Sequence, residues 1–113
     1  MLKVSNLMKG LEEQAAGALT ALLQEVPAIK IREVNIEPGG SDRGIDIIAK
    51  INVAGRRYLV VCEVKSSGQP RYVRTGLLQL RNYAAHHEPG SLPVFIAPYL
   101  SAEARALCRD EKV

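Results

Sequence analysis

Polar and apolar positions along this chain change period several times, and each change marks a new element. From Ser5 to Glu25, Met8, Leu11, Ala15, Ala18, Leu19 and Leu22 recur at helical spacing, with Ser5 or Asn6 placed to cap the first turn. Pro27 ends that helix. Ile31 to Glu37 (IREVNIE) sets Ile31, Glu33, Asn35 and Glu37 against Arg32, Val34 and Ile36, the pattern of a short strand with one wet face. PGGSDRG supplies turn residues over 38–44. The runs IDIIAKINV and YLVVCEVKS, joined by AGRR, read as a β-hairpin. From Pro70, suited to a first helical turn, Val73, Leu77, Leu80 and Ala84 form an apolar stripe. LPVFIAP is an apolar strand, and SAEARALCRDEKV is a last helix capped by Ser101.

The predicted order is α-β-β-β-α-β-α, an α/β fold in which helices flank a mixed sheet. Neither a repeat nor a linker divides residues 1–113, so a single domain is expected. The chain stops directly after its last helix, which also fits a piece of a longer protein.

Composition changes this picture little. Apolar residues make up 47% and charged residues 24%, enough for one aliphatic core and too apolar for disorder. No apolar run approaches the ~20 residues of a membrane helix, and MLKVSNLMKG lacks the apolar core of a signal peptide. A soluble, cytoplasmic protein without membrane contact is expected. Cys62 and Cys108 sit in apolar surroundings and read as buried thiols rather than a disulfide or a zinc site. The net charge of +3 is compatible with a polyanionic partner without establishing one.

The hairpin brings chemistry together. A tight connection centred on Gly55 and Arg56 pairs Ile47 with Val64, Ala49 with Cys62, Ile51 with Val60 and Val53 with Tyr58, making one face wholly apolar. The other face then sets Asp46 directly across from Lys65, with Glu63 diagonal to Asp46. Glu63 and Lys65 share that face because strand side chains alternate with period two. A cross-strand charge ladder, with Lys65 on Asp46 and Lys50 diagonal to Glu63, accounts for the same residues. Ile48, Leu59 and Val61 interrupt this supposedly wet face, which implies that something covers it, and a glycine-rich turn precedes the acid.

The segments SDRGIDIIAK, YLVVCEVKSSGQ and LLQLRNY together resemble the PD-(D/E)XK nuclease superfamily, most closely its small restriction-endonuclease-like domains. The resemblance covers about Leu11 to Cys108 and includes LPVFIAPYLSAEARALC as the late strand and helix. It maps the family's lone aspartate to Asp46, its glutamate-any-lysine motif to Glu63 and Lys65, and its helical glutamine to Gln79. The family's proline is replaced by Ile45.

Phosphodiester hydrolysis requires a nucleophile made from water and relief of charge on the phosphoryl oxygens. Asp46 and Glu63 are hard oxygen ligands suited to Mg²⁺, with Mn²⁺ able to substitute, and the resemblance implies the backbone carbonyl of Val64 as a third ligand. Lys65 could orient or deprotonate the attacking water. The resemblance also implies a glutamate on the first helix. Glu12 lies beside Met8, Ala15 and Leu19 at the edge of the apolar face and is favoured over Glu13, which points away. Gln79 lies on a stripe with Tyr72, Gly76 and Tyr83, where its amide could orient water or touch a nucleic-acid backbone.

Phosphate contacts are expected from Arg56 and Arg57 in the hairpin turn and from Arg71, Arg74 and Arg81 on the second helix. Ser66 and Gln69, in the connection SSGQP, should lie beside the substrate. His86 and His87 end the helix, where a dipole interaction is expected rather than catalysis.

The expected protein is therefore a Mg²⁺-dependent endonuclease acting on nucleic acid, DNA in the first place. A Holliday junction resolvase-like homodimer is the alternative within the class. A non-catalytic nucleic-acid-binding or assembly module of the same fold is the alternative outside it.

Overall fold

The computed structural model describes residues 4–37, 45–86 and 90–113, and side chains from Gly10 onward within them. The turn at 38–44, the Met8 side chain and His87 lie outside the described residues. The elements are α1 (Val4–Gln24), β1 (Ile29–Ile36), β2 (Ile47–Val53), β3 (Arg56–Val64), α2 (Pro70–His86), β4 (Leu92–Ile96) and α3 (Ala102–Asp110). Their order is the predicted one. Among the described residues, no helix is long and apolar enough to cross a membrane.

One four-stranded sheet runs in the order β1-β2-β3-β4. The first three strands are antiparallel, and β4 lies parallel to β3. Parallel neighbours need a crossover, which α2 supplies. Pro93 is tolerated because β4 is an edge strand.

Beneath α1, Ala15 and Leu19 pack on Ile47, Ala49, Ile51, Val60, Cys62 and Val64. Ser5 and Asn6 lie inside α1, so neither caps it. Its buried stripe is centred near Leu19, Glu12 and Leu23, which leaves Ala18 and Leu22 exposed. This rotation moves Glu12 from the edge of the apolar face into it. On the opposite face, α2 buries Leu80 and Tyr83 over Ile45, Ile48 and Val61. The cover implied by those apolar interruptions is therefore α2. A third cluster joins Val73, Leu77 and Phe95 to Ala104 and Cys108 of α3. The Ser101 hydroxyl caps α3 by accepting from the Ala104 amide at 3.1 Å. Both cysteines are free and buried, as expected.

Two registers differ from expectation. In β1 the pairing slips between Ile31 and Glu33, so Arg32 is the extra residue of a bulge. The bulge carries Ile29, Ile31 and Val34 onto the face beneath α1, which strict alternation would have split between two faces. In the hairpin, Val53 pairs with Arg56 across a two-residue turn of Ala54 and Gly55, whose φ values are 51° and 79°. Two positive φ angles give the turn a twist matching its strands, though only glycine adopts them without cost. Ile47 therefore faces Cys62, Ala49 faces Val60 and Ile51 faces Tyr58. Each pairing is displaced by two residues from the predicted one. A displacement of two preserves the faces, so the apolar surface survives while the Asp46–Lys65 opposition does not.

Candidate functional site

Asp46 immediately precedes β2, where the regular ladder gives out. Its amide donates to the Cys62 carbonyl at 3.0 Å, although Cys62 already faces Ile47, and its own carbonyl accepts from the Glu37 amide at 2.7 Å. The backbone is thus held on both sides. The carboxylate turns back into the sheet, and Oδ2 accepts from the Val64 amide at 2.7 Å. In an extended strand the carbonyl of a residue leaves by the same edge as its amide, so the Val64 carbonyl also points to the Asp46 side.

From this position the Asp46 carboxyl group is electrostatically coupled to Glu12 on α1 and to Glu63 on β3. Glu12 is only 7% exposed and Glu63 only 3%. Three carboxyl groups therefore meet at one end of the sheet. Lys65 reaches the same end, with Nζ 3.1 Å from Glu63 Oε1. The Lys65 amide donates to the Ile96 carbonyl at 3.0 Å, fixing the strand end against β4.

Electrostatics follow from burial. Glu63 is pushed up to about 7 by desolvation and by the charge of Asp46, against the pull of Lys65. Glu12 is raised by burial and then by Asp46. Burial also raises Asp46, opposed by the Val64 amide, Lys65 and its two carboxyl partners. Burial and the nearby Asp46 push the Cys62 thiol up to about 12, which makes it inert.

Glycine brings α2 onto this site. A Cβ at Gly76 would stand 2.5 Å from Phe95 Cε2 and 3.1 Å from Glu63 Cγ, so only glycine lets the helix lie this close. One turn further on, Gln79 is half-buried. Its Oε1 and Oε2 of Glu63 are both buried without a hydrogen-bond partner. Buried polar oxygens are seldom left so. Among the described residues, no three His, Cys, Asp or Glu side chains form a ready-made metal cage.

The other expected residues are distributed unevenly. Ser66 and Gln69 are exposed on the loop after Lys65. There the Gln69 amide donates to Ser67 Oγ at 3.2 Å, and its carbonyl accepts from the amides of Tyr72 and Val73. Arg71 is exposed, with its guanidinium 4.6 Å above the Tyr72 ring. Arg74 pairs with Glu103 at 3.7 Å, and Arg81 pairs with Glu111. The first pair joins α2 to α3, and the second joins α2 to the residue that caps the C-terminus of α3. Arg56 and Arg57 belong to β3 rather than to the turn, six or seven residues before Glu63 and thus roughly 20 Å from it. The structure does not gather them with the carboxylates. Lys50 is no ladder partner of Glu63, because it pairs with Glu33 at 3.2 Å.

In the sequence Gly76 shares the stripe of Gln79, and its close approach to Glu63 is visible only in the fold. A glycine inside an otherwise good helix was the available signal. Gly68, in the loop before α2, is a second glycine required by close approach, since a Cβ there would collide with the Tyr99 carbonyl oxygen.

No protein-family model matches the chain, and no curated protein matches it in sequence. Solved structures do. The MspJI restriction endonuclease in complex with a 27-mer oligonucleotide aligns at TM-score 0.62 and 19% identity, over 89% of this chain and 23% of that one. EndoMS in apo form aligns at 0.51 and 18%, over 87% and 43%. A repair endonuclease from Pyrococcus abyssi aligns at 0.52 and 18%, over 88% and 43%. The chain spans less than half the length of each of these. Its fold is the restriction-endonuclease-like fold that these restriction and repair endonucleases share.

Proposed function

We propose that the chain is a metal-dependent nuclease domain that hydrolyses phosphodiester bonds, with DNA as its substrate. The observation that carries this reading is the meeting of Asp46, Glu63 and Glu12 beside Lys65, with one oxygen of Glu63 left buried and unpartnered. Burying three acids together is costly and does little for pure binding of a polyanion. DNA is favoured because the similar structures include MspJI with an oligonucleotide and EndoMS with dsDNA.

Asp46, Glu63 and the Val64 carbonyl would hold Mg²⁺ or Mn²⁺, and either ion, when bound, lowers the pKa of water and offsets charge on the phosphoryl oxygens. Within the chain, the Val64 amide fixes the orientation of Asp46. Glu12 takes up a proton more readily than an ordinary glutamate and donates it in a hydrogen bond to Asp46, so the two need not repel. Lys65 orients the attacking water and faces the growing negative charge on the phosphate. Gln79 directs its amide toward the same water or the nucleic-acid backbone. Ser66, Gln69, Arg71 and Arg74 supply the contacts to phosphates.

The test is cleavage of linear duplex, branched and single-stranded DNA with Mg²⁺, Mn²⁺ or EDTA. Metal-dependent cleavage that EDTA abolishes is expected. Preference for four-way junctions would move the reading to a resolvase, and binding without cleavage in any metal would replace it with a non-catalytic module.

A further inference from the structure

At the end of the sheet away from the carboxylates, a cleft of about 290 Å³ is lined by Arg32, Lys50, Arg57, Tyr58, Leu59 and Ser91. Its origin is local. β4 begins at Leu92, opposite Val60, so among the described residues Arg56 to Leu59 have no strand partner on that side. Gly90, at φ 85°, turns the chain into this gap and brings Ser91 to its wall. The bulge in β1 adds Arg32 from the other side.

Three cations line the cleft. Lys50 is paired with Glu33, whereas Arg32 and Arg57 form no ion pair among the described residues. The Ser91 hydroxyl is buried without a hydrogen-bond partner. The guanidinium groups of Arg57 and of Arg32, the latter also attracted to Glu33, and an unsatisfied hydroxyl suit a tetrahedral oxyanion, which accepts from all of them. Lys50 and Leu59 lie four residues along their strands from Asp46 and Glu63, and Arg57 lies six from Glu63. At the rise of a strand this is about 13–20 Å. Along a duplex it corresponds to roughly four to six nucleotides.

From these observations we infer that the cleft is a second phosphate site, which holds the DNA backbone four to six nucleotides from the bond cleaved at the carboxylates. The inference rests on the nuclease reading. Its role is to fix the register of the substrate on the sheet.

Binding of a 20-base-pair duplex by the metal-free protein, followed against KCl concentration, tests it without interference from cleavage. Arg32 and Arg57 are exposed, so Arg32→Ala/Arg57→Ala should fold as the wild type does, which circular dichroism verifies. The double variant should bind about tenfold more weakly at low salt, with a log–log salt slope shallower by about one, as expected for one lost phosphate contact. Ser91→Ala should weaken binding while leaving the slope alone. Equal affinity and slope in wild type and double variant would overturn the site and leave the nuclease reading standing. A companion NMR titration with inorganic phosphate separates the sources. If the wild type binds no duplex yet phosphate shifts the Arg57 and Ser91 amides, the cleft is a free-anion site, and the backbone assignment falls along with the nucleic-acid reading.

Discussion

The amide of Val64 donates to Oδ2 of Asp46 at 2.7 Å, so a side chain takes the place of a backbone ladder partner at the very end of β3. This bond ties the position of one carboxylate to the strand that carries the Glu63 and Lys65 side chains. Asn can accept the same bond through its amide oxygen, whereas Ala cannot. Asp46→Asn should therefore keep the metal-free fold and leave its thermal midpoint unchanged or raised, because a negative charge beside Glu63 and Glu12 is removed. Asp46→Ala should lower the midpoint by leaving the Val64 amide unpaired, at a cost of about 1–3 kcal/mol. Equal midpoints for the two variants would mean that the bond does not hold the strand end.

Buried acids make metal-free stability fall with rising pH. Glu63 is raised to about 7, and Glu12 and Asp46 are raised as well, so the folded chain binds more protons than the unfolded chain above the ordinary carboxylate range. Stability then declines as pH increases through that window toward 7. Thermal unfolding in EDTA should give a higher midpoint near pH 5 than near pH 8, and Glu63→Gln should reduce the difference. A midpoint that rises over the same interval would contradict the crowding of these acids.

The close contact of α2 with Glu63 depends on Gly76. Alanine has the better helix propensity by about 1 kcal/mol, yet its Cβ would collide with the buried Phe95 ring and press on Glu63. Overpacking of this kind costs about 1–3 kcal/mol. Gly76→Ala should lower the thermal midpoint and slow cleavage together. A gain in stability would show that Phe95 moves aside freely.

Arg71 and Arg74 should contribute unequally to DNA binding. Arg74 is engaged with Glu103, whereas Arg71 stands over Tyr72 with its charge free of any described acid. Arg71→Ala should weaken affinity and flatten the salt dependence by about one in slope, and Arg74→Ala should do less. Fluorescence anisotropy over a KCl series reads both effects. A larger effect at Arg74 would show that Glu103 releases it on binding.

Periodicity made much of this legible. All seven elements appear in the predicted order, and the hairpin keeps its predicted apolar face even though the register is displaced by two residues. That displacement was hidden because the turn holds Ala54 at φ 51°, a conformation that alanine does not advertise. The choice of Glu12 over Glu13 followed from helical angle alone, and Glu12 is indeed the buried one. What escaped depends on a single inserted residue or on contacts between distant segments. Nothing local marks Arg32 as a bulge, Gly68 as touching Tyr99, or Glu33 as the partner of Lys50.

Cleavage of duplex DNA by wild type, Asp46→Asn and Glu63→Gln in Mg²⁺ bears most directly on the proposed chemistry, with circular dichroism verifying that all three are folded. The account predicts metal-dependent cleavage by the wild type and loss of cleavage, by at least a hundredfold, in each variant, since both carboxylates are assigned to the metal. Undiminished cleavage by folded Asp46→Asn would contradict it.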